Sequence, residues 1–181
     1  MKKKTIITLI TILVLLCAWG IRSIRNNYQL GQDLYVVLNR LSIQYENFAN
    51  TVDRLKEVVD EGGVRGSHLT PLYNSLYEFW SSIGYDDMPF WDDVRHEWYQ
   101  QFNKYRLEAI HGDEHIIGIF ADEEKFKELA HLRDQSYHVV DCFGEFRENY
   151  EQMSVWERYF TSWKDEQKIL NEKVRFTPLS E

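Results

Sequence analysis

Cysteine is almost missing from this chain. There are two in 181 residues, Cys17 and Cys142. Cys17 lies inside a long apolar run, so no disulfide can close within the rest of the chain. That excludes a small secreted module stapled by several bridges, and leaves the fold to stand on packing. Proline is used three times, each at an expected helix boundary: Pro71, Pro89 and Pro178. A basic excess is lacking too. The balance of 21 Lys and Arg against 29 Asp and Glu gives a net charge of −8, without a basic patch large enough to offset it. Such a surface repels phosphates, so nucleic-acid binding is disfavoured. The glycines at 62, 63 and 66 are not followed by the Lys-Ser/Thr pair of a phosphate-binding loop, and no Gly-x-Ser-x-Gly elbow occurs. Internal repeats and low-complexity tracts are absent from the sequence.

What the chain does have is rings. Aromatic residues make up 15%, with 6 Trp, 11 Tyr and 10 Phe. A core of large rings is expected, and disorder is disfavoured. The other conspicuous feature is residues 5–21. This stretch is uncharged, follows Lys2, Lys3 and Lys4, and precedes Arg22 and Arg25. A membrane-spanning helix needs about 17–25 mostly apolar residues, and this run reaches the lower bound. Trp19 falls where an aromatic ring favours the headgroup region. The alternative is a secretory signal cleaved after Gly20, with Ala18 and Gly20 as the small residues. The anchor is preferred, because Ile21 extends the run past that point and Arg22 and Arg25 would open the mature chain. A lipoprotein reading through Cys17 is disfavoured by Leu16. With three lysines before the run and two arginines after it, the more basic flank stays in the cytoplasm and the remainder lies outside. The expected division is an anchor over residues 1–25, a helical bundle over 26–176, and a disordered tail over 177–181.

Beyond the anchor, apolar residues recur at steps of three and four. Over residues 26–60 the row is Leu30, Leu34, Val37, Leu41, Tyr45, Phe48, Val52, Leu55 and Val59. Nothing between Ile21 and Leu30 forces a stop, so anchor and helix can form one rod; Gly31 weakens it by about 1 kcal/mol. Glycines make a loop near residues 61–67. Thr70-Pro71 opens a second helix, with Leu72, Leu76, Phe79 or Trp80, and Ile83 on its apolar side. Pro89 opens a third, with Trp91, Val94, Trp98, Phe102, Tyr105 and Ala109. Residues 111–121 read as a packed connection. Asp122 with Glu123 and Glu124 starts a fourth helix running to about Tyr150. Ser154 and Glu157 form a capping box for a fifth, with Trp156, Tyr159 or Phe160, Trp163, Leu170 and Val174 as its row. The fold class is therefore all-α: a transmembrane helix continuing into a long amphipathic helix, then a bundle of about four further helices.

Candidate chemistry is thin. His111 to His115 spells His-x-x-Glu-His, a zinc-protease signature, but Gly112 and Asp113 interrupt it where a helix ends. Glu108/His111 and Glu128/His131 are Glu-x-x-His pairs of the kind that hold two metal ions in a bundle. On the fourth helix, however, Glu124, Glu128, His131, Gln135, His138, Cys142 and Glu145 form a stripe about 120° from the apolar one, the placement of a solvated face. Cys142 and His138, one turn apart, lack a third catalytic partner. No cofactor is expected, nor is catalysis. The aromatic surplus reads differently. Phe90 beside Trp91, and Trp98 beside Tyr99, point about 100° apart, so some rings must leave the core row. A protein-binding patch is expected around Trp80, Tyr85, Phe90, Trp91 and Tyr99. The expectation is a non-catalytic, membrane-anchored domain outside the cytoplasmic membrane. It touches lipid through residues 5–21 and another protein through its rings. Two alternatives are a metal-binding bundle enzyme and a self-associating spacer.

Overall fold

Apolar residues on all sides of the first segment, and on one side of the next, are compatible with a single continuous helix, and one forms. In the computed structural model, which describes residues 2–63, 65–83 and 92–179 with the side chains of 2–6, 80, 82, 83 and 92 left out, α1 runs Lys2–Asp60, 59 residues. At about 1.5 Å per residue it is roughly 90 Å long. Its described side chains as far as Asn26 are almost all exposed, and burial sets in beyond them. Leu34, Leu38, Leu41, Tyr45, Phe48, Ala49, Val52 and Leu55 all enter the core. The helix ends in a Schellman arrangement: Gly63 N–H donates to Val58 O (3.2 Å) and Gly62 N–H to Val59 O (2.9 Å). Gly62 carries the left-handed φ of 73° that this closure needs.

The remaining elements run back and forth along the inner part of α1. They are α2 Gly66–Ile83, α3 Asp92–Ile110, α4 Asp113–Ala121, α5 Glu123–Gln152, α6 Val155–Phe160 and α7 Trp163–Lys173. Every regular element among the described residues is helical. The longest packing seam joins α1 to α5. The rings meet at mid-height: Phe79 stacks on Phe102 (3.6 Å between centroids), with Tyr45 edge-on to Phe79 (4.4 Å) and to Trp98 (4.9 Å).

Three boundaries differ from the sequence reading. α2 starts at Gly66 and keeps Pro71 inside it. Leu69 is fully buried, so packing draws in the turn before the proline. Residues 113–121 form a helix rather than a packed connection, with Ile116, Ile119 and Phe120 buried at helical spacing and Asp113 and Glu114 in the first turn. The expected fifth helix is two, α6 and α7. Asn27 of α1 explains the break: its side-chain amide donates to the carbonyls of Tyr159 (3.2 Å) and Thr161 (2.6 Å). In an unbroken helix those carbonyls would accept from Trp163 N–H and Asp165 N–H. Instead these donate to Thr161 O and Ser162 O. The turn delivers Trp163, 1% exposed, onto Gly31. A Cβ at Gly31 would stand 2.6 Å from the indole Nε1 and 2.7 Å from Cδ2, so only glycine admits the ring.

Candidate functional site

The last two turns of α3, one side of α4 and the first turns of α5 line an open cleft of about 600 Å³. Glu108, Glu114, Glu124 and Glu128 line it with Lys104, Lys125, His115 and Tyr105. Four carboxylates against two ammonium groups leave it acidic. Two of the nominated residues, Glu108 and Glu128, thus converge from separate helices. Neither carboxylate is idle. Glu108 pairs with the imidazole of His115, and Glu128 with the ammonium of Lys104. Tyr105 is buried on the cleft's inner wall. Burial first, then the charges of Glu128 and Glu108, hold its phenol well above the usual range, so it stays a neutral donor.

The nominated histidines lie elsewhere. His111 follows the end of α3, while His115 belongs to α4. Gly112, at φ 106°, turns the chain between them. Their rings face each other edge-on at 5.6 Å, one in the turn after α3 and the other on α4. The His-x-x-Glu-His letters therefore do not make the single-helix platform that a zinc protease requires. His131 is drawn to the carboxy-terminal segment, its Nε2–H donating to Thr177 O at 2.5 Å. Among the described residues, no three His, Cys, Asp or Glu side chains stand together as a metal cage.

The polar stripe of α5 has a use the periodicity did not suggest. Besides His131, His138 donates from Nε2 to Lys173 O (3.1 Å), Gln135 accepts from Thr177 N–H (3.5 Å), and Glu145 pairs with Lys173 (3.0 Å). Trp98 Nε1–H donates to Val174 O (2.8 Å) and Phe176 meets the Trp98 ring at 5.3 Å. The stripe is the seat of the end of α7 and of residues 174–177. Cys142 lies under this seat, 5% exposed, with its sulfur 3.6 Å from His138 Nε2. Burial pushes its thiol up, which is the opposite of what a nucleophile needs.

Of the expected aromatic patch, Tyr85, Phe90 and Trp91 lie outside the described residues, as does the side chain of Trp80. Tyr99 is half-buried and packs on the core. The sequence reading missed two exposed rings. Trp156, placed in the core row of the fifth helix, and Phe160, placed there as the alternative to Tyr159, are 73% and 69% exposed, and α6 buries no residue at all. The adjacency of Tyr159 and Phe160 was the available signal, since one helix row holds only one of them.

The outer part of α1 is apolar and long enough to cross a membrane, and none of its apolar window is buried. It is compatible with a single span or a signal anchor. Comparison with protein-family models, with curated proteins and with solved structures gives no match to this chain.

Proposed function

We propose that the chain is a single-pass, membrane-tethered helical bundle that holds another protein at the outer face of the cytoplasmic membrane and performs no catalysis itself. One observation carries the reading: the helix exposed and apolar over residues 7–21 is the same helix that, from Leu34 onward, forms the spine of the core. A rod shared by two environments fixes the domain's height above the bilayer. Three lysines before the span against two arginines after it favour a cytoplasmic amino terminus. The engagement of the reactive groups supports a binding role. Glu108, Glu128 and His131 each hold a partner within the fold, and the only cysteine of the bundle is buried and protonated. The partner surface in this reading is the aromatic stretch of residues 80–99; Tyr77, which precedes it in sequence on α2, is 61% exposed.

The test has two readouts. Full-length protein should resist alkaline extraction from membranes, with the bundle cut only by protease added outside. The variant Trp91→Ser should stay folded and release the partners that wild type captures. Extraction into the soluble fraction removes the anchor; unchanged capture removes the patch.

A further inference from the structure

The chain reaches lowest toward the apolar segment at α6. Tyr35 of α1 stacks on Tyr150 near the end of α5 (4.8 Å), while Tyr28, two turns closer to the span, stacks on Tyr159 of α6 (4.2 Å, 17° between planes). Asn27 fastens the carbonyls of Tyr159 and Thr161, and Gly31 receives Trp163 as α7 turns back. Descent, foot and return are thus read off one helix.

The foot is built, though it buries nothing. Ser154 and Glu157 cap it reciprocally, Ser154 Oγ accepting from Glu157 N–H and Glu157 accepting from Ser154 N–H. Its other charge is tied inward: Arg158 donates to Tyr150 O (3.1 Å) and Glu151 O (3.2 Å) and lies over the Tyr150 ring. With both charges engaged, Val155, Trp156 and Phe160 face outward at 58%, 73% and 69% exposure.

Asn27 is six residues beyond Ile21, about 9 Å along the axis. The headgroup layer is itself about 5–8 Å deep on each side. Spanning helices tilt by about 20° on average, and interfacial Trp and Tyr set the direction. A lean toward the α6 side lays Trp156 and Phe160 into the boundary between headgroups and acyl chains. Exposed Arg22 and Arg25 stand between span and foot, at the height of lipid phosphates.

We infer that α6 is a lipid-binding foot: Val155, Trp156 and Phe160 enter the interface of the same bilayer that residues 5–21 cross, giving the tether a second contact and a fixed tilt. This rests on reading residues 5–21 as a span.

The test uses the full chain in phosphatidylcholine–phosphatidylglycerol vesicles. A nitroxide is placed on Trp156→Cys and, as a water reference, on Glu61→Cys at the far end of α1, both in a Cys17→Ala/Cys142→Ala background. Cys17 labelled in Cys142→Ala reports the span. Accessibility is read to oxygen, which enters lipid, and to an aqueous nickel chelate. The expected result is loss of chelate access at 156, toward the level at Cys17, with position 61 freely accessible. Chelate access at 156 equal to that at 61, with Cys17 in lipid, overturns the foot and leaves the span standing. Chelate access at Cys17 removes the span, and the foot with it. Shielding of 156 from both reagents, with spin–spin broadening, marks a second copy of the chain and also overturns the proposal. Should the cysteine-free background fail to fold, brominated-lipid quenching of wild type minus that of Trp156→Phe measures the same depth without it. A difference of zero overturns the foot.

Discussion

The two parts of α1 make an internal comparison. Residues 7–24 and 34–59 belong to one helix, and each carries many large apolar side chains. In the outer part these side chains point in every direction and none is buried. In the inner part most keep to one side and are covered by α2, α3, α4, α5 and α7, with Val36 and Ile43 the exceptions at 64% and 53% exposure. Hydrophobicity alone does not separate the two. The angular distribution does, because a row can be covered by other helices, whereas an all-round apolar surface needs a solvent that is itself apolar.

The largest expected effect breaks the comparison at its inner end. Phe48 is fully buried and meets Phe102 edge-on at 4.7 Å. Phe48→Ala should cost about 3–5 kcal/mol and lower the melting temperature in detergent by about 10 °C or more. Leu13→Ala, the matched change at a 61% exposed position, should leave melting unchanged within about 0.5 kcal/mol. Circular dichroism of the two proteins checks both. Equal losses would mean that the outer part packs on protein.

Charge should act in the opposite sense. Leu13→Arg puts a cation near the middle of the apolar run, at a cost of about 2.5–3.5 kcal/mol if that run lies in lipid. The fraction resisting alkaline extraction should fall while the melting of the bundle stays as in wild type. An unchanged fraction would remove the outer part from the bilayer.

Glycine sharpens the same contrast. Gly20 has open space where a Cβ would go, while Gly31 has the Trp163 indole there. Gly31→Val should destabilise by about 1–3 kcal/mol from overpacking, which exceeds the few tenths gained in helix propensity. Gly20→Val should be neutral or slightly favourable. Thermal melts of the pair decide it, and a stabilised Gly31→Val would mean that Trp163 does not sit on α1.

Gly31 also marks where sequence reading runs out. The row Leu34, Leu41, Tyr45, Phe48, Val52 and Leu55 was legible, because one helix face repeats with a fixed period. The start of α5 was legible from the carboxylates of Asp122, Glu123 and Glu124, and the Ser154–Glu157 box because cap and capped residues lie three apart. The clamp from Asn27 to Thr161 spans more than 130 residues and has no period, so one helix was read where α6 and α7 stand. The acidic cleft is half-legible for the same reason. Glu108 and Glu128 were nominated by local spacing, but only the course of α4 shows that Glu114, Glu124 and His115 join them while His111 and His131 do not. The stripe His131, Gln135, His138 was read correctly as polar. That it seats residues 173–177 depends on where the chain returns, which no local pattern encodes.

The smallest effect belongs to the region held by neither core nor span. Tyr28 and Asn27 of α1 hold the end of α6, but its first turn is closed by its own capping box, so that turn should respond to acid on its own. Glu157 sits below its ordinary 4.5, first because of its bond to the Ser154 side chain and then because of the Ser154 N–H. A carboxyl whose folded pKa is depressed stabilises above its unfolded value and loses that contribution as pH falls through the folded value. Loosening of α6 should therefore set in below pH 4.5, without unfolding of the rings around Tyr45. Glu157→Gln keeps a capping acceptor but cannot titrate in this window. Trp156 fluorescence, taken as wild type minus Trp156→Phe, should change between pH 6 and pH 3.5, and the same difference in the Glu157→Gln background should not. Identical acid responses in the two backgrounds would assign the order of α6 to contacts other than its cap.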